Sequence, residues 1–340
     1  MKFLPGNLPQ PFTRARLANM SRQPLKLIAA LAIAASAASL PAQDWAKAAL
    51  EKSPRHREYV PIKHGDRTVQ AFVVYPEVSR KAPVVLMIHE IFGLSDWAKE
   101  MADELAAKGY IVIAPDLLTG AGPNGGGTDA FPGQDAVTKA VGQLSADQVT
   151  ADLDAAADYG KKLPSANGKL FVAGFCWGGG KSFDFATHRH DLSAAFVFYG
   201  APPPSFNSIA APVYGFYAGN DARISATVPA TTEAMKAAGK KYDPVIYDGA
   251  GHGFMRAGQA PDANDANKKA WEEGFKRLVD LIDKTNSGGA ASRAAQSVRG
   301  KSASIKTVAA PAVSCHETTP AAKSVASDTK SAPMDMAAMM

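Results

Sequence analysis

The sequence predicts an α/β protein built around a doubly wound, mostly parallel sheet. Runs rich in β-branched residues alternate along the chain with segments of helical spacing. Several of these runs are apolar at every position, which is typical of strands covered on both faces. With 340 residues, of which 46% are hydrophobic, the chain is long enough to bury a full core. We therefore expect one large α/β domain.

The first strands are predicted at three apolar runs bounded by Pro, Gly or Asp. The runs are TVQAFVVYP from Thr68, APVVLMIHEIFG from Ala82 and YIVIAPDLL from Tyr110. Between the last two, SDWAKEMADELAAKG has helical spacing, with Ser95 or Asp96 as cap and Gly109 as stop.

The same alternation continues to the end of the predicted domain. The predicted elements are a helix at 145–163, the strand KLFVAGF, a helix after the glycines that follow it, the strands LSAAFVFYG and APVYGFYAG, a helix at 227–239, the strand DPVIYDGAG and an amphipathic helix at 264–284. This regularity predicts a parallel sheet with functional loops at the ends of its strands.

The segments outside this alternation set the predicted domain boundaries. Residues 43–67 are polar and are expected to be a lead-in segment before the domain at 68–285. Residues 286–340 are rich in Ala, Ser, Lys, Thr and Pro without apolar periodicity, which predicts a disordered low-complexity tail. Residues 119–144, beginning TGAGPNGGG, are too long and glycine-rich for a plain connection; they are either a mobile lid over the site or an insertion loop with no role.

The N-terminus has the composition of a secretory signal peptide. Residues 1–42 contain five basic residues and no acid, and the apolar run LKLIAALAIAASAASL precedes Pro41 and Ala42. A retained membrane anchor is the competing interpretation, but the run is short and mostly alanine. We expect cleavage near Ala42, an exported protein that is periplasmic or secreted, and no stable membrane insertion afterwards. Met20 is an alternative start.

Charge gives no reason to expect a nucleic acid partner. Five of the 37 basic residues and none of the 32 acidic residues lie in the predicted signal, so the remaining chain carries 32 of each. The basic balance of the full sequence therefore belongs to the signal. Two cysteines, Cys176 and Cys315, are too few for a disulfide framework.

Cys176 lies in GFCWGGG, where a predicted strand ends and a helix begins. This is the context of a nucleophile elbow, a sharp turn that presents a reactive side chain above the sheet, with cysteine in place of the usual serine. The glycines leave room for the turn, and the N-terminus of the following helix favours a thiolate. The alternative is a small buried cysteine at a turn.

An elbow requires an acid and a base, which on such a fold follow the nucleophile in that order. Asp221, in YAGNDARI, and His252, in GAGHGF, each follow a later predicted strand. The remaining histidines are expected to be structural or exposed: His56, His64, His188, His190 and His316, with His89 left without a role.

Four motifs together resemble the dienelactone hydrolase family. They are HEIFGL from His89, GFCWGG from Gly174, the Asp of GNDARI and HGFMR from His252, in this order. The similarity spans about residues 59–284. It implies an α/β-hydrolase fold, no cofactor and no metal, and a small-molecule ester or lactone as substrate.

The resemblance also implies a role for each matching residue. Cys176 would be the nucleophile, His252 the general base and later acid, and Asp221 the residue that orients the imidazole. Glu90 would interact with the resting thiol and move when substrate arrives.

Backbone N–H groups of Ile91 and Trp177 would form the oxyanion hole. Arg256 matches a family arginine that binds a substrate carboxylate. The family's dienelactone enzymes bring a second arginine from the loop after the DL motif, whereas residues 119–144 of this chain contain none. Dienelactone itself as the substrate is therefore put in question.

Two other classes of function remain open. The domain could be a catalytically silent exported binding or scaffold protein, although a binder has no need for the combination of Cys176, Asp221 and His252. Cys315, His316 and the four C-terminal methionines from Met334 onward are soft or borderline ligands for copper, but their wide spacing makes this a weak signal.

Overall fold

The computed structural model describes residues 43–301 and the side chains of residues 43–288. The strands are β1 Arg57–His64, β2 Arg67–Val74, β3 Ala82–Ile88, β4 Ile111–Asp116, β5 Ala166–Phe175, β6 Ala194–Phe198, β7 Val213–Ala218 and β8 Tyr242–Tyr247. The helices are α1 Asp44–Lys52, α2 Asp96–Ala107, α3 Gln134–Val141, α4 Ala146–Lys162, α5 Trp177–His188, α6 Ala222–Ser225, α7 Val228–Ala237, α8 Phe254–Ala257 and α9 Asp265–Lys301, with 3₁₀ turns at Pro123–Gly125 and Thr128–Ala130.

The strands form one sheet of eight in the order β1-β2-β4-β3-β5-β6-β7-β8. β2 pairs antiparallel with β1 and β4, and every pairing from β4 to β8 is parallel. After β3 the chain turns to β4 on one side and then returns to β5 on the other. Since ligands of such sheets bind where the strand order reverses, the crevice at the carboxyl ends of β3 and β5 is the expected site. The predicted α/β fold is confirmed.

Helices cover both faces of this sheet, which explains the fully apolar strands. One core contains side chains of α1, α2, α8 and α9, and the other contains side chains of α4, α5 and α7. All seven residues of β3 and all six of β4 and β7 are buried. The helix caps agree with the sequence: Ser95 Oγ accepts the N–H of Ala98 at the start of α2, and Ser145 Oγ accepts that of Gln148 at the start of α4.

The segment predicted as a lead-in, residues 43–67, forms α1 and β1 in the structure. α1 packs against α2, and β1 pairs along its whole length with β2. Arg55 also forms an ion pair with Asp103 of α2. β1 is an edge strand with one buried residue, Ile62, so it lacks the apolar run by which the other strands were recognised.

The segment at 119–144 is built from two 3₁₀ turns and α3, and it is tied to the end of β4. Asp116 accepts hydrogen bonds from the N–H and the hydroxyl of Thr128, both at 2.7 Å. Thr128 Oγ1 in turn accepts the N–H of Leu94 at 3.0 Å. Buried Leu118, Val137 and Val141 form a small core of this segment. The motion of a lid remains a prediction.

α9 extends beyond the predicted helix at 264–284. It continues to Lys301, into a stretch predicted to be disordered, where alanine, arginine and glutamine favour helix. Residues 1–42, with the predicted signal peptide, and residues 302–340, with Cys315, His316 and the methionines, lie outside the described residues. The chain divides into two compact units, the first ending at Ala291 and the second beginning at Ser292. The fold described here belongs to the first unit. Within the described residues, no helix combines the length and apolarity that crossing a bilayer requires.

Candidate active site

Cys176 lies on the sharp turn between β5 and α5. Its backbone has φ 56° and ψ −118°, a conformation that L-residues rarely adopt. The turn brings backbone against backbone: a Cβ on Gly174 would lie 1.9 Å from the carbonyl oxygen of Gly178, and a Cβ on Gly178 would lie 2.3 Å from that of His89. Side chains are therefore excluded at both glycines, and the cysteine is lifted to the edge of the sheet.

Cys176, His252 and Asp221 are joined by hydrogen bonds although they are far apart in sequence. His252 Nε2 lies 3.1 Å from Cys176 Sγ, and His252 Nδ1 lies 2.5 Å from Asp221 Oδ2. Asp221 is buried, and its other carboxylate oxygen accepts the N–H of Ile224 at the start of α6. The imidazole is thus held between a fixed carboxylate and the sulfur.

The surroundings of His252 favour its protonated form. Burial lowers the pKa of this imidazole, but hydrogen bonds to Cys176 and Asp221 and the negative charges of both residues outweigh burial and raise the pKa to about 9. At neutral pH the ring therefore carries a positive charge beside the sulfur. An imidazolium at this distance stabilises a thiolate.

Glu90 lies in the same crevice, but its partners differ from the expected one. Its carboxylate is 3% exposed and pairs with Arg256, whose Nε donates to Oε2 at 2.8 Å. Oε1 accepts the hydroxyl of Tyr199 at 3.3 Å. In this structure Glu90 is thus directed to Arg256 rather than to the Cys176 thiol, because a buried carboxylate is stabilised most by an opposite charge.

Tyr199 belongs to this site and was missed by sequence reasoning. It follows β6 and is fully buried with φ 39°, and its ring lies edge-on to that of His252, 5.0 Å between centroids. Burial and the nearby charges of Glu90 and Cys176 raise the pKa of the phenol, so it remains a hydrogen-bond donor. Its position directly after a strand, like those of Cys176 and Asp221, was the signal that could have identified it.

Ile91 and Trp177 lie in the turns that follow β3 and β5, and their role as oxyanion donors stays a prediction. Ile91 follows Glu90 in the turn after β3, and Trp177 is the first residue of α5, whose N–H has no partner within its own helix. Both side chains pack against the small core formed by Leu118, Val137 and Val141.

Arg256 is held by more than its ion pair. Its guanidinium also lies over the ring of Phe92, 4.9 Å from the centroid. The side chain is 28% exposed, so it remains partly open to solvent.

The histidines not assigned to the site fit that interpretation where they are described. His64 Nε2 lies 2.6 Å from buried Asp152, which also forms an ion pair with Arg67, so this histidine belongs to a structural hydrogen-bonded cluster. Among the described residues, no group of three or more histidine, cysteine or acidic side chains could hold a metal ion.

Comparison with known proteins shows similarity to one family. The family model of the dienelactone hydrolase family matches residues 69–285. A protein of Methylorubrum extorquens provisionally named carboxymethylenebutenolidase is 32% identical over 235 residues, which are 65% of this chain and 78% of the relative. A protein of Escherichia coli K12 with the same provisional name is 32% identical over 212 residues, 58% of this chain and 75% of the relative.

Solved structures agree with the fold. A provisionally assigned dienelactone hydrolase from Klebsiella pneumoniae is 26% identical with a TM-score of 0.56, over 65% of this chain and 97% of that one. A dienelactone hydrolase-like promiscuous phosphotriesterase from metagenomic libraries is 21% identical with a TM-score of 0.57, over 68% of this chain and 98% of that one. The second likeness is one of fold.

Proposed function

This chain belongs to the dienelactone hydrolase family, and from that membership we propose that it hydrolyses carboxylic esters or lactones through a thioester formed on Cys176. The observation that carries the proposal is the hydrogen-bonded series from Asp221 through His252 to the Cys176 sulfur. Three side chains from three separate loops are aligned as covalent catalysis requires.

In the first half of the reaction, the Cys176 thiolate attacks the substrate carbonyl carbon. As the S–C bond forms, the carbonyl oxygen becomes an oxyanion that the N–H groups of Ile91 and Trp177 stabilise. The intermediate then collapses, the ester C–O bond breaks, and the alcohol leaves with the proton from His252 Nε2. The acyl group remains on sulfur.

In the second half, water releases the acid. Neutral His252 removes a proton from a water molecule, which attacks the thioester carbonyl. The C–S bond breaks, and the sulfur returns to its ion pair with the imidazolium. Asp221 holds the ring in the orientation that both halves need.

The sequence of the 119–144 segment and the pairing of Arg256 bear on the substrate. Glu90 neutralises the charge of Arg256, and the segment contributes no arginine. We therefore expect neutral esters to be better substrates than carboxylate-bearing dienelactones.

The test compares hydrolysis of a neutral aryl ester and of a carboxylate-bearing dienelactone by the protein starting at Gln43. Cys176→Ala should abolish activity on both, and Cys176→Ser should retain the fold with little activity. If Cys176→Ala hydrolyses as fast as the wild type, or the wild type hydrolyses neither substrate, the proposal fails. In the latter case an exported binding domain is the better account.

We further propose that the protein is exported with cleavage near Ala42. The basic start and the short apolar run of residues 1–42 support this. The N-terminal sequence of the protein recovered from cell fractions tests it. A cytoplasmic protein that retains residues 20–42 would contradict it.

A further inference from the structure

His89 is a buried histidine at the end of β3 that the reaction described above does not use. It is 1% exposed, and its Nδ1 lies 2.7 Å from the carbonyl oxygen of Glu90. Because a carbonyl oxygen only accepts, the proton of the ring lies on Nδ1. Burial lowers the pKa of His89, so the ring is neutral. Its Nε2 has no hydrogen-bond partner in the described part of the chain.

The acceptor of this hydrogen bond belongs to the peptide that carries one oxyanion donor. The carbonyl of Glu90 and the N–H of Ile91 are two ends of one planar peptide group, so fixing the oxygen fixes the direction of the N–H. The N–H of Gly93 also donates to this oxygen at 3.1 Å. A charge-neutral donor at the oxygen additionally polarises the peptide and strengthens the N–H as a donor.

His89 also contacts the segment that carries the second donor. Its ring is stacked on the indole of Trp177, with centroids 5.6 Å apart and planes inclined by 15°. Its own carbonyl oxygen packs so closely against Gly178 that no side chain fits there. One residue thus spans the two turns whose N–H groups must converge on a single oxygen atom.

We propose that His89 is a positioning residue that aligns the Ile91 and Trp177 N–H groups as an oxyanion hole. The inference rests on the proposed function, since it concerns the same reaction. In this proposal, the hydrogen bond from His89 Nδ1 orients the N–H of Ile91. The stacking of the His89 ring on the Trp177 indole sets the distance between the two donors.

Two substitutions separate the hydrogen bond from the ring. His89→Phe keeps a ring against Trp177 but removes the donor. His89→Asn keeps an N–H near the position of Nδ1 but removes the ring, whereas His89→Gln places its amide near the position of Nε2 and serves as the matched control.

Two probes separate the oxyanion hole from the reactivity of the thiolate. An aryl trifluoromethyl ketone accepts the Cys176 sulfur at its carbonyl carbon, and its oxygen becomes an oxyanion that needs both donors. Iodoacetamide alkylates the same sulfur: the S–C bond forms as the C–I bond breaks and iodide leaves, and this step needs neither N–H donor. We expect His89→Phe to weaken binding of the ketone by about tenfold to a hundredfold. The same variant should lower kcat with little change in KM, because removal of one complete oxyanion donor costs about 10²–10³ in kcat. Its alkylation rate should stay within about twofold of the wild type.

The Asn variant should recover most of the affinity for the ketone, and the Gln variant should not. If His89→Phe does not fold, the ratio of the ketone affinities of the Asn and Gln variants tests the inference. Equal ketone affinities in wild type and Phe variant, equal losses in Asn and Gln, or parallel losses of ketone binding and alkylation would overturn the inference. Activity that survives Cys176→Ala would instead overturn the proposed function, so the two failures are distinguishable.

Discussion

His252 interacts with two groups that both stabilise its charged form. The sulfur of Cys176 lies at one nitrogen and the carboxylate of Asp221 at the other, and their combined effect raises the pKa of the imidazole to about 9. In the proposed reaction, the imidazolium must survive until it protonates the leaving alcohol. The upper pH limit of activity is therefore set by these two neighbours.

The first prediction concerns this limit. In the wild type, the charge of Asp221 and its hydrogen bond both raise the pKa of His252. Asp221→Asn removes both effects and lowers this pKa, so the descending limb of the kcat/KM profile should move from about pH 9 to lower pH. We also expect kcat to fall by at least about tenfold, since an amide also favours the wrong tautomer. Ester hydrolysis measured from pH 6 to 10 tests this. The exposed Asp248→Asn is the control and should reproduce the wild-type profile.

The second prediction concerns the ion pair of Glu90 with Arg256. Arg256→Met leaves a buried carboxylate without its cation and should lower the free energy of unfolding by roughly 2–3 kcal/mol, less than for a fully buried pair because Arg256 is partly exposed. Adding Glu90→Gln removes the uncompensated charge and should recover part of the loss. Chemical denaturation of both variants measures this. A double variant no more stable than the single one would contradict it.

At the residue scale, the sequence was informative where a polar side chain directly follows a strand. Cys176 was predicted from the glycines around it where a strand meets a helix, and Asp221 and His252 from their order after later strands. The structure brings the three together. Tyr199 occupies an equivalent position but lies in the aromatic run FVFYG, so it resembled a strand residue. Its positive φ was not predictable because the residue is not a glycine. The partner of Glu90 was not predictable because Arg256 lies 166 residues away and loop geometry decides the pairing.

At the scale of an element, α2 carries a buried acidic residue outside the site. Glu100 is 5% exposed, and Gln259 donates to it at 3.2 Å while accepting the indole N–H of Trp97 at 2.6 Å. Burial and the charge of Glu104, one turn later, raise the pKa of Glu100 to about 9. The folded protein thus keeps a proton that the unfolded chain loses near pH 4.5, so stability falls as pH rises through this interval to about 9.

The third prediction follows from that sign. Glu100→Gln has the same shape without the charge, so its melting temperature should exceed that of the wild type at pH 8.5. The increase should be about 2–4 °C for each kcal/mol by which the free energy of unfolding rises. At pH 5 the two melting temperatures should be nearly equal. Thermal unfolding at both pH values tests this. The exposed Glu51→Gln of α1 is the control, and an equal gain for it at pH 8.5 would show that general charge reduction is responsible.

Strands and helices were predicted well where their burial requires a regular pattern of apolar residues. β3, β4 and β7 are buried at every position because helices cover both faces. Their sequences are therefore largely apolar, with Asp116 at the end of β4 as the charged exception. β1 was missed because its stability comes from backbone pairing with β2, which leaves little trace in side chains. The 3₁₀ turns and α3 were missed because hydrogen bonds to Asp116, rather than local periodicity, hold this segment.

At the scale of the whole molecule, the residues before Thr68 complete the sheet and one of its cores. α1 contributes Ala46 and Leu50 to the core that contains α2, and β1 covers the edge of β2. Without them, an edge strand and an apolar helix face would be exposed to water.

The fourth prediction tests this boundary. A protein starting at Gln43 should unfold cooperatively, whereas one starting at Thr68 should be insoluble or lose its cooperative transition. Circular dichroism during heating, together with limited proteolysis, distinguishes the two. Matching melting curves would show that residues 43–67 are not needed for the fold.

The 119–144 segment has a further consequence for how the protein changes over time. In the proposed reaction the bond-breaking groups belong to turns at the ends of β3, β5, β7 and β8, while this segment contacts the crevice through its packing on Ile91 and Trp177 and through the hydrogen bonds of Thr128. Substrate preference can therefore diverge by drift within one insertion while the reactive machinery stays under separate selection. For directed evolution, we expect a library confined to the exposed positions of this segment, with Thr128, Val137 and Val141 held fixed, to change specificity in a protein that stays folded.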